Sequence, residues 1–302
     1  MEELSTTQRS VSTEFNVQAW HIASLLHQGV LHEVACSNKP GLVCPESQGA
    51  HNDMNFHSFI SGSTAMLPAF YQAAQIGQPA QGCDRSLFET LRQHGHAWEQ
   101  SLMLATRGVN THRGMLFVGS LAAAVAAQKS VKNRKIYALD IAEGISEMTH
   151  GLCERELQNN PEPRSYGERL FKLHGVKGIR GEVEGGLPSV IYHALPALQV
   201  GLMQSGNLER SLQHTLLSLM AEVEDTTVLH RGGIEGLRWL QQQARNVLSQ
   251  GSVFCSSGLA SYQLLVQQCL ARRLSPGGCA DLLALSSAIY LMEHQAWPEG
   301  VI

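Results

Sequence analysis

The chain has 302 residues, of which 43% are hydrophobic and only 16% are charged, and its formal net charge is −4. This composition excludes disorder as the main state, because disordered chains are poor in apolar residues and rich in charge. It also argues against nucleic acid as the main partner, since no stripe of Lys and Arg alternates with aromatic residues. An anionic ligand would have to be bound by a small number of cationic side chains placed close together.

Cysteine usage and hydropathy bear on the compartment. The seven cysteines are dispersed, without a C-x-x-C pair or zinc-like spacing, which predicts reduced thiols. The segment up to Thr13 is polar and lacks an apolar signal core, and no apolar run is long enough to span a bilayer. We therefore expect a cytoplasmic protein without a membrane partner, with residues 1–13 flexible.

Apolar residues recur at helical spacing along most of the chain, beginning with Glu14 to Ala35, whereas no segment alternates convincingly like a strand. Asn207 is predicted to cap a helix and Asp225 to end one. Short connections rich in Gly, Pro and Asn join these segments, so the sequence predicts an all-α, single-domain bundle of about eleven helices over residues 1–302. The predicted helices are 14–35, 55–75, 86–106, 114–128, 137–158, 165–174, 188–204, 207–224, 234–250, 257–273 and 279–294.

Polar chemistry concentrates at the junctions between these helices rather than on their faces. Several junctions lie where a helix should begin, and helix N-termini present free N–H groups and a positive dipole end that suit anions. The chain contains no G-x-x-x-x-G-K-[ST] loop, and no strand precedes a G-x-G-x-x-G. Two common nucleotide-binding folds are therefore disfavoured.

The first two junctions each allow a structural and a functional interpretation. Lys39-Pro40-Gly41 is typical of a helix terminator, but a compact ammonium on a rigid turn also suits a phosphate contact. At the second junction, helix capping accounts for Asn52 or Asp53 but leaves His51 unexplained. We therefore favour a functional role for His51 and Asp53.

The third junction directly precedes a helix of small residues. Capping accounts for Asn110 or Thr111 there. It does not account for His112 and Arg113, whose side chains can donate hydrogen bonds to phosphates across the helix start.

The most unusual junction runs from Gly178 to Gly186 and places Arg180, Glu182 and Glu184 among four glycines. Glycine allows close approach of the backbone to a ligand, and paired carboxylates suit metal binding or acid/base chemistry. The alternative is an internal salt-bridge network that stabilises a loop.

Two later junctions also carry charged residues. Asp225, followed by Arg231-Gly232-Gly233, is equally well explained as the end of one helix and the start of the next. Asp281 fits a first-turn acid that complements a helix dipole, and alone it would not be singled out.

Taken in order, these junctions resemble the triphosphoribosyl-dephospho-CoA synthase family, which makes the prosthetic-group precursor of citrate lyase and, in a sister branch, of malonate decarboxylase. Two further stretches, Gly151–Leu157 and Gly236–Leu240, look closer to the citrate lyase branch. The resemblance spans nearly the whole chain. It rests on Lys39–Val43, Gly49–Met54, Gly108–Gly114, Gly178–Glu184, Asp225-Thr226 with Arg231-Gly232-Gly233, and Leu274–Leu283.

The resemblance implies a transferase that joins ATP to 3′-dephospho-CoA and releases adenine. Cleavage of the N-glycosidic bond of ATP needs a carboxylate beside the ribosyl cation, as glycoside cleavage does. The triphosphate calls for Mg²⁺ and several cations. The product would pass to a lyase acyl carrier protein, so transient contact with that carrier protein or its transferase is expected; the chain could also form an oligomer.

The resemblance also implies roles for the junction residues. The acids are expected to share Mg²⁺ binding and acid/base work, with His51 as a further catalytic candidate. The expected ATP and phosphate ligands are Lys39, Asn110, His112, Arg113, Arg180 and Arg231. The expected Mg²⁺ and catalytic acids are Asp53, Glu182, Glu184 and Asp225.

One departure from the family pattern concerns Cys44-Pro45, where the family usually has Asp-Arg. It removes a carboxylate and a cation beside the phosphate turn, and it motivates an alternative in which the chain is a nucleotide- or carrier-protein-binding scaffold that has lost catalysis. A second alternative is an all-α, Mg²⁺-dependent N-glycosidic hydrolase related to ADP-ribosyl hydrolases, which transfers ribose to water.

Overall fold

The computed structural model describes residues 15–132, 135–159, 162–163 and 165–302, and within these ranges the chain is helical without a strand. The predicted all-α class is confirmed. Residues 1–13, expected to be flexible, lie outside the described ranges. The helices are α1 (Val17–Ala35), α2 (Phe56–Gly77), α3 (Arg85–Ala105), α4 (Arg113–Lys132), α5 (Ala138–Thr149), α6 (Tyr166–His174), α7 (Gly178–Glu184), α8 (Leu195–Ser205), α9 (Leu208–Glu222), α10 (Thr226–Ser249), α11 (Ser256–Arg272) and α12 (Gly277–His294).

Two apolar helices, α12 and α4, form the centre of the bundle. Nearly every side chain of α12 is buried, and this helix packs against α1, α4 and α9. A Cβ atom on Gly29 of α1 would lie 2.4 Å from the carbonyl oxygen of Ala284, so α1 and α12 approach as closely as they do only because Gly29 has no side chain. The window Arg113–Val131 of α4 is long and apolar enough to cross a membrane, but 72% of it is buried inside the protein, as in a core helix.

Most helix boundaries follow the predictions, but the predicted helix 137–158 ends as α5 at Thr149, just before Gly151 with φ 71°, and the predicted helix 188–204 begins with a π-helical turn, Val190–Ala194, so that α8 starts at Leu195; the start of α10 also differs. Asn207 caps α9 as predicted, with its side-chain oxygen accepting from the Arg210 N–H at 3.0 Å. The prediction that Asp225 ends a helix is wrong, because Asp225 is the N-cap of α10, which begins at Thr226 rather than near 234. Gly233, with φ 64° and ψ −170°, interrupts α10 and concealed its first turns from a periodicity argument.

The glycine-rich segment after Gly178 is helical rather than an open junction. Val183 is fully buried and Ile179, one turn earlier, packs against the core, so the two anchor α7. Each glycine disfavours a helix by about 1 kcal/mol, a cost that burial of two branched side chains offsets. Packing therefore overrides local propensity in α7.

Candidate active site

One large cleft, of about 1040 Å³, opens between the junctions. This volume is at the upper end of the roughly 300–1,000 Å³ typical of small-molecule sites. Four predicted site residues do not line the cleft: Lys39, Asp53, Glu184 and Arg231. Seven others do: His51, Asn110, His112, Arg113, Arg180, Glu182 and Asp225.

Asp281 is a cleft residue that the sequence argument passed over. Its carboxylate, on α12, accepts a hydrogen bond from the Met115 N–H in the first turn of α4. A Cβ atom on Gly114 would lie 2.1 Å from Asp281 Oδ2, so the approach requires a glycine there. Burial, followed by the carboxylates of Glu33 and Asp225, raises the pKa of Asp281 well above its usual range. The only signal in the sequence was its place in the Ser275–Asp281 junction.

Asp225 also lines the cleft, but backbone N–H groups hold both of its oxygens. Oδ1 accepts from Thr227 at 2.8 Å and Val228 at 3.1 Å, and Oδ2 accepts from the Cys279 N–H at 2.8 Å. The side chain is buried, and burial raises its pKa although these hydrogen bonds oppose the rise. Asp225 therefore joins the start of α10 to the start of α12.

The two glutamates of α7 point in different directions. Glu182 lines the cleft and accepts hydrogen bonds from Ser189, from the backbone N–H and from Oγ, both at 2.8 Å. Burial raises the pKa of Glu182. Glu184 instead accepts from the Cys153 N–H at 3.3 Å and lies outside the cleft lining. The structure thus separates two residues that the sequence treated as equivalent.

His112 is buried in the cleft wall at the start of α4. Its ring meets Phe59 edge-on at 4.7 Å between centroids, and Nδ1 lies 3.0 Å from Thr111 Oγ1, while Nε2 has no hydrogen-bond partner among the described residues. Burial, with a smaller contribution from Lys39, lowers its pKa to about 3. At neutral pH His112 is therefore an uncharged imidazole that can contact a ligand only by a neutral hydrogen bond.

Lys39 does not reach the cleft surface. Its ammonium is buried and donates to the Glu33 carbonyl oxygen at 2.6 Å and to Glu33 Oε1. Burial raises the pKa of Glu33 even though Lys39 opposes the rise. The pair lies behind the cleft, with Glu33 on its surface.

Arg231 and His51 form a tether at one edge of the cleft. Arg231 donates to the Ala50 carbonyl oxygen at 2.8 Å and lies 3.0 Å from His51 Nδ1, while His51 Nε2 lies 2.8 Å from Ser275 Oγ. Burial, then the positive charge of Arg231, lowers the pKa of His51. Asp53 is largely exposed, 3.7 Å from His51. These contacts fix the loop before α2 against α10.

The cleft lining also carries cations that are paired with carboxylates. Arg180 Nε is 2.7 Å from Glu156 Oε2, and Arg180 Nη2 is 3.4 Å from Glu168 Oε1. Arg92 of α3 binds the other oxygen of Glu156. The salt-bridge interpretation of Arg180 thus describes its contacts, although the partners come from other helices than α7.

Near the start of α4, Arg113 and Asn110 also line the cleft. Arg113 Nη2 lies 2.7 Å from Glu99 Oε1 and its side chain is 60% exposed, so it is accessible to a ligand. Asn110 accepts from the Arg113 N–H at 3.3 Å, as capping predicts. Cys44, at the family departure, is buried in a turn bridged to Ser47 and does not line the cleft.

The four carboxylates predicted to bind Mg²⁺ do not converge. Asp53 and Glu184 lie outside the cleft, and backbone groups occupy both oxygens of Asp225. Among the described residues, no group of three or more His, Cys, Asp or Glu side chains is placed to hold a metal ion. The residues therefore do not fit a metal site built from protein ligands alone.

Comparison with known proteins identifies the family. Residues 19–299 match the CitG family, described as ATP:dephospho-CoA triphosphoribosyl transferase. A relative from Malonomonas rubra named "Probable 2-(5''-triphosphoribosyl)-3'-dephosphocoenzyme-A synthase" is 41% identical, over 94% of this chain and 92% of its own. Proteins of the same name are 36% identical in Vibrio cholerae serotype O1 (89% and 87% covered) and 39% identical in Citrobacter koseri (87% and 88%). No solved structure matches the chain significantly.

Proposed function

This chain belongs to the ATP:dephospho-CoA triphosphoribosyl transferase family, and we propose that the cleft between its helix junctions is the place where the two substrates react. As a member of the family it is an enzyme, a triphosphoribosyl-dephospho-CoA synthase that joins ATP to 3′-dephospho-CoA and releases adenine in prosthetic-group biosynthesis. The hydrolase and the inactive scaffold are not favoured by these matches.

The reaction sets clear requirements for the cleft. The bond between the anomeric carbon of ATP and adenine breaks, and the ribose hydroxyl oxygen of dephospho-CoA bonds to that carbon. Adenine gains one proton at its leaving nitrogen and the hydroxyl loses one, so protons balance. The site therefore needs an acid for adenine, a base for the hydroxyl, and negative charge beside the ribosyl cation.

Asp281 and Glu182 best meet the carboxylate requirements. Asp281 lines the cleft and accepts a hydrogen bond from the Met115 N–H, and its raised pKa favours the protonated form that a proton donor requires. Glu182 is held by Ser189 and is placed to supply fixed negative charge. We assign Asp281 to proton transfer and Glu182 to stabilisation of the ribosyl cation.

The observation that carries this proposal is that buried carboxylates and guanidinium groups line one cleft. Asp281 and Glu182 line it together with Arg92, Arg113 and Arg180. A substrate that develops positive charge at its anomeric carbon and carries a polyphosphate at the far end of the same ribose matches that arrangement.

The proposal is tested by measuring adenine after incubation with ATP and Mg²⁺, with and without dephospho-CoA. Release that requires dephospho-CoA supports the transferase. Release that is independent of dephospho-CoA would instead indicate a hydrolase, and no release would indicate a scaffold.

Glu182 and Glu184 provide a matched pair of variants on one helix. Glu182→Gln is expected to lower the rate of adenine release by about 10²-fold or more, because it removes charge from the cleft. Glu184→Gln should leave the rate within about threefold, since Glu184 faces Cys153. Equal losses in both variants would contradict the assignment.

Three further expectations stand as proposals. Mg²⁺ would arrive on the triphosphate rather than in a protein site, since Mg²⁺ commonly binds through substrate phosphates. The product would serve the citrate lyase acyl carrier protein, which the Gly151–Leu157 and Gly236–Leu240 stretches favour. The enzyme would act in the cytoplasm. Loading of purified carrier protein from citrate lyase or malonate decarboxylase, by this enzyme and the carrier's transferase, tests the recipient.

A further inference from the structure

Two arginines on the cleft wall share a single carboxylate. Glu156 Oε2 lies 2.7 Å from Arg180 Nε, and Glu156 Oε1 binds Arg92 Nη1. The three side chains come from three separate elements: α3, the π-helical turn Glu154–Gln158, and α7. One carboxylate thus spans the gap between two guanidinium groups.

The three side chains are accessible from the cleft. All three line it, with side-chain exposures of 47% for Arg92, 21% for Glu156 and 23% for Arg180. The Arg92 side chain is about half exposed, and ion pairs of exposed side chains contribute only about 0–1 kcal/mol to stability. The contact of Arg92 is therefore poorly explained as a device for holding the fold together.

The local field favours an anion with more charge than one carboxylate carries. Arg92 and Arg180 both contact Glu156, and burial, followed by the positive charges of Arg180 and Arg155, lowers the pKa of Arg92. Lys177 also lines the cleft. Glu168 offsets part of this charge from α6. Guanidinium pairs bind the oxygens of phosphate groups by the same parallel N–H contacts that they make with carboxylates.

The element that carries Glu156 is suited to release it. Glu156 lies in a π-helical turn, and such turns occur frequently at functional sites. Arg180, by contrast, is held from α7 and keeps its contact with Glu168 when Glu156 leaves. Displacement of one side chain would expose both arginines without a change in the helices.

We infer that Arg92 and Arg180 bind the polyphosphate chain of a substrate, and that Glu156 occupies this position until the phosphates displace it. The inference rests on the proposed function for the identity of the ligand. Two sources share the chemistry: the triphosphate of ATP and the diphosphate of dephospho-CoA.

The test measures binding of inorganic tripolyphosphate and of dephospho-CoA to the full chain by titration calorimetry. Arg92→Gln should weaken binding of the polyphosphate ligand by about tenfold or more, because a charge-assisted contact is lost. Glu156→Gln should strengthen it by about threefold or more, since the competing carboxylate is neutralised. Arg85→Gln is the matched control, because Arg85 is on the same helix but pairs with exposed Glu89 outside the cleft.

The two ligands distinguish the sources. If Arg92→Gln weakens only tripolyphosphate, the site takes the triphosphate of ATP; if it weakens only dephospho-CoA, the site takes the diphosphate. Unchanged binding of both ligands by Arg92→Gln overturns the inference, as does weaker binding by Glu156→Gln, which would make the carboxylate a positioning group. If that variant does not fold, Arg92→Lys replaces it, and weaker binding is again expected because an ammonium cannot make the parallel N–H contacts of a guanidinium.

These titrations measure ligand binding and do not require the reaction to proceed. A chain that binds tripolyphosphate through Arg92 but releases no adenine would contradict the proposed function and leave this inference intact. Adenine release that depends on dephospho-CoA in the wild type, together with unchanged binding by Arg92→Gln, would contradict this inference and leave the proposed function intact.

Discussion

Replacement of Asp225 tests whether this buried carboxylate acts in the reaction or holds two helices together. Its oxygens accept three backbone N–H groups, those of Thr227, Val228 and Cys279, at 2.8 to 3.1 Å. Asp225→Ala leaves all three without their acceptor, at a cost of about 1–3 kcal/mol for each one that stays buried. Because water reaches part of the cleft wall, we expect a total loss of about 3–5 kcal/mol in the free energy of unfolding.

Asp225→Asn is a milder change with a specific defect. The amide oxygen can still accept from Thr227 and Val228, but the amide nitrogen then faces the Cys279 N–H, donor against donor. Relief from burying a charge offsets part of this loss, so we expect about 1–2 kcal/mol. Urea denaturation followed by circular dichroism measures both variants, and the denaturant slope should stay constant.

The control for both variants is Asp53→Asn, because Asp53 is largely exposed and lies 3.7 Å from the ring of His51. It should change stability by less than about 0.5 kcal/mol. An Asp225→Ala protein that is as stable as wild type but releases no adenine would refute the structural assignment and return Asp225 to the catalytic acids.

Three other substitutions test how a buried ionisable side chain affects stability, and for two of them how it affects the reaction. Asp281→Asn should abolish adenine release yet stabilise the protein. Burial raises the carboxyl pKa of the folded protein above the unfolded value of 3.8, so wild type loses stability as pH rises above that value, and the gain in Tm of the variant should grow with pH; a flat difference would contradict this. His112→Asn should reduce acid sensitivity, because the low pKa of about 3 makes wild type lose up to about 5 kcal/mol as pH falls from 6.5 through that value; parallel stability curves for the two proteins would contradict it. Lys39→Met should cost about 3–5 kcal/mol in urea denaturation by leaving Glu33 buried and unpaired, whereas an unchanged stability with a raised KM for ATP would restore Lys39 as a phosphate ligand.

Helical periodicity was sufficient to predict the architecture, because most helices bury a continuous apolar face and end at recognisable caps such as Asn207. Periodicity failed to predict the ends of those helices whose boundaries depend on backbone geometry rather than on the pattern of side chains. Gly233 breaks the phase of α10, and α7 forms through burial of Val183 in spite of its glycines. Neither event changes the local pattern of apolar residues enough to be read from it.

The sequence predicted which helix junctions form the site, but not which side chains pair with one another there. The Ser275–Asp281 junction was singled out, yet Asp281 becomes notable only when α12 places it against Gly114. Arg92 lies in the middle of α3, where a charged residue is ordinary on a solvated face. Lys39 had the expected location and charge, but Glu33, which neutralises it, belongs to the preceding helix. Long-range pairing of charges cannot be deduced from spacing.

That pairing explains how guanidinium groups and reactive carboxylates can line the same cleft. Arg92, Arg113 and Arg180 are each paired with another carboxylate, whereas Asp281 and Glu182 have no salt bridge among the described residues. If either acid were paired with an arginine, its negative charge would already be neutralised before the ribosyl cation formed. Backbone N–H and hydroxyl donors hold these two acids instead, which fixes their positions while leaving their charge or proton available to the substrate. The arginines are thus paired with carboxylates other than the two that we assign to the reaction.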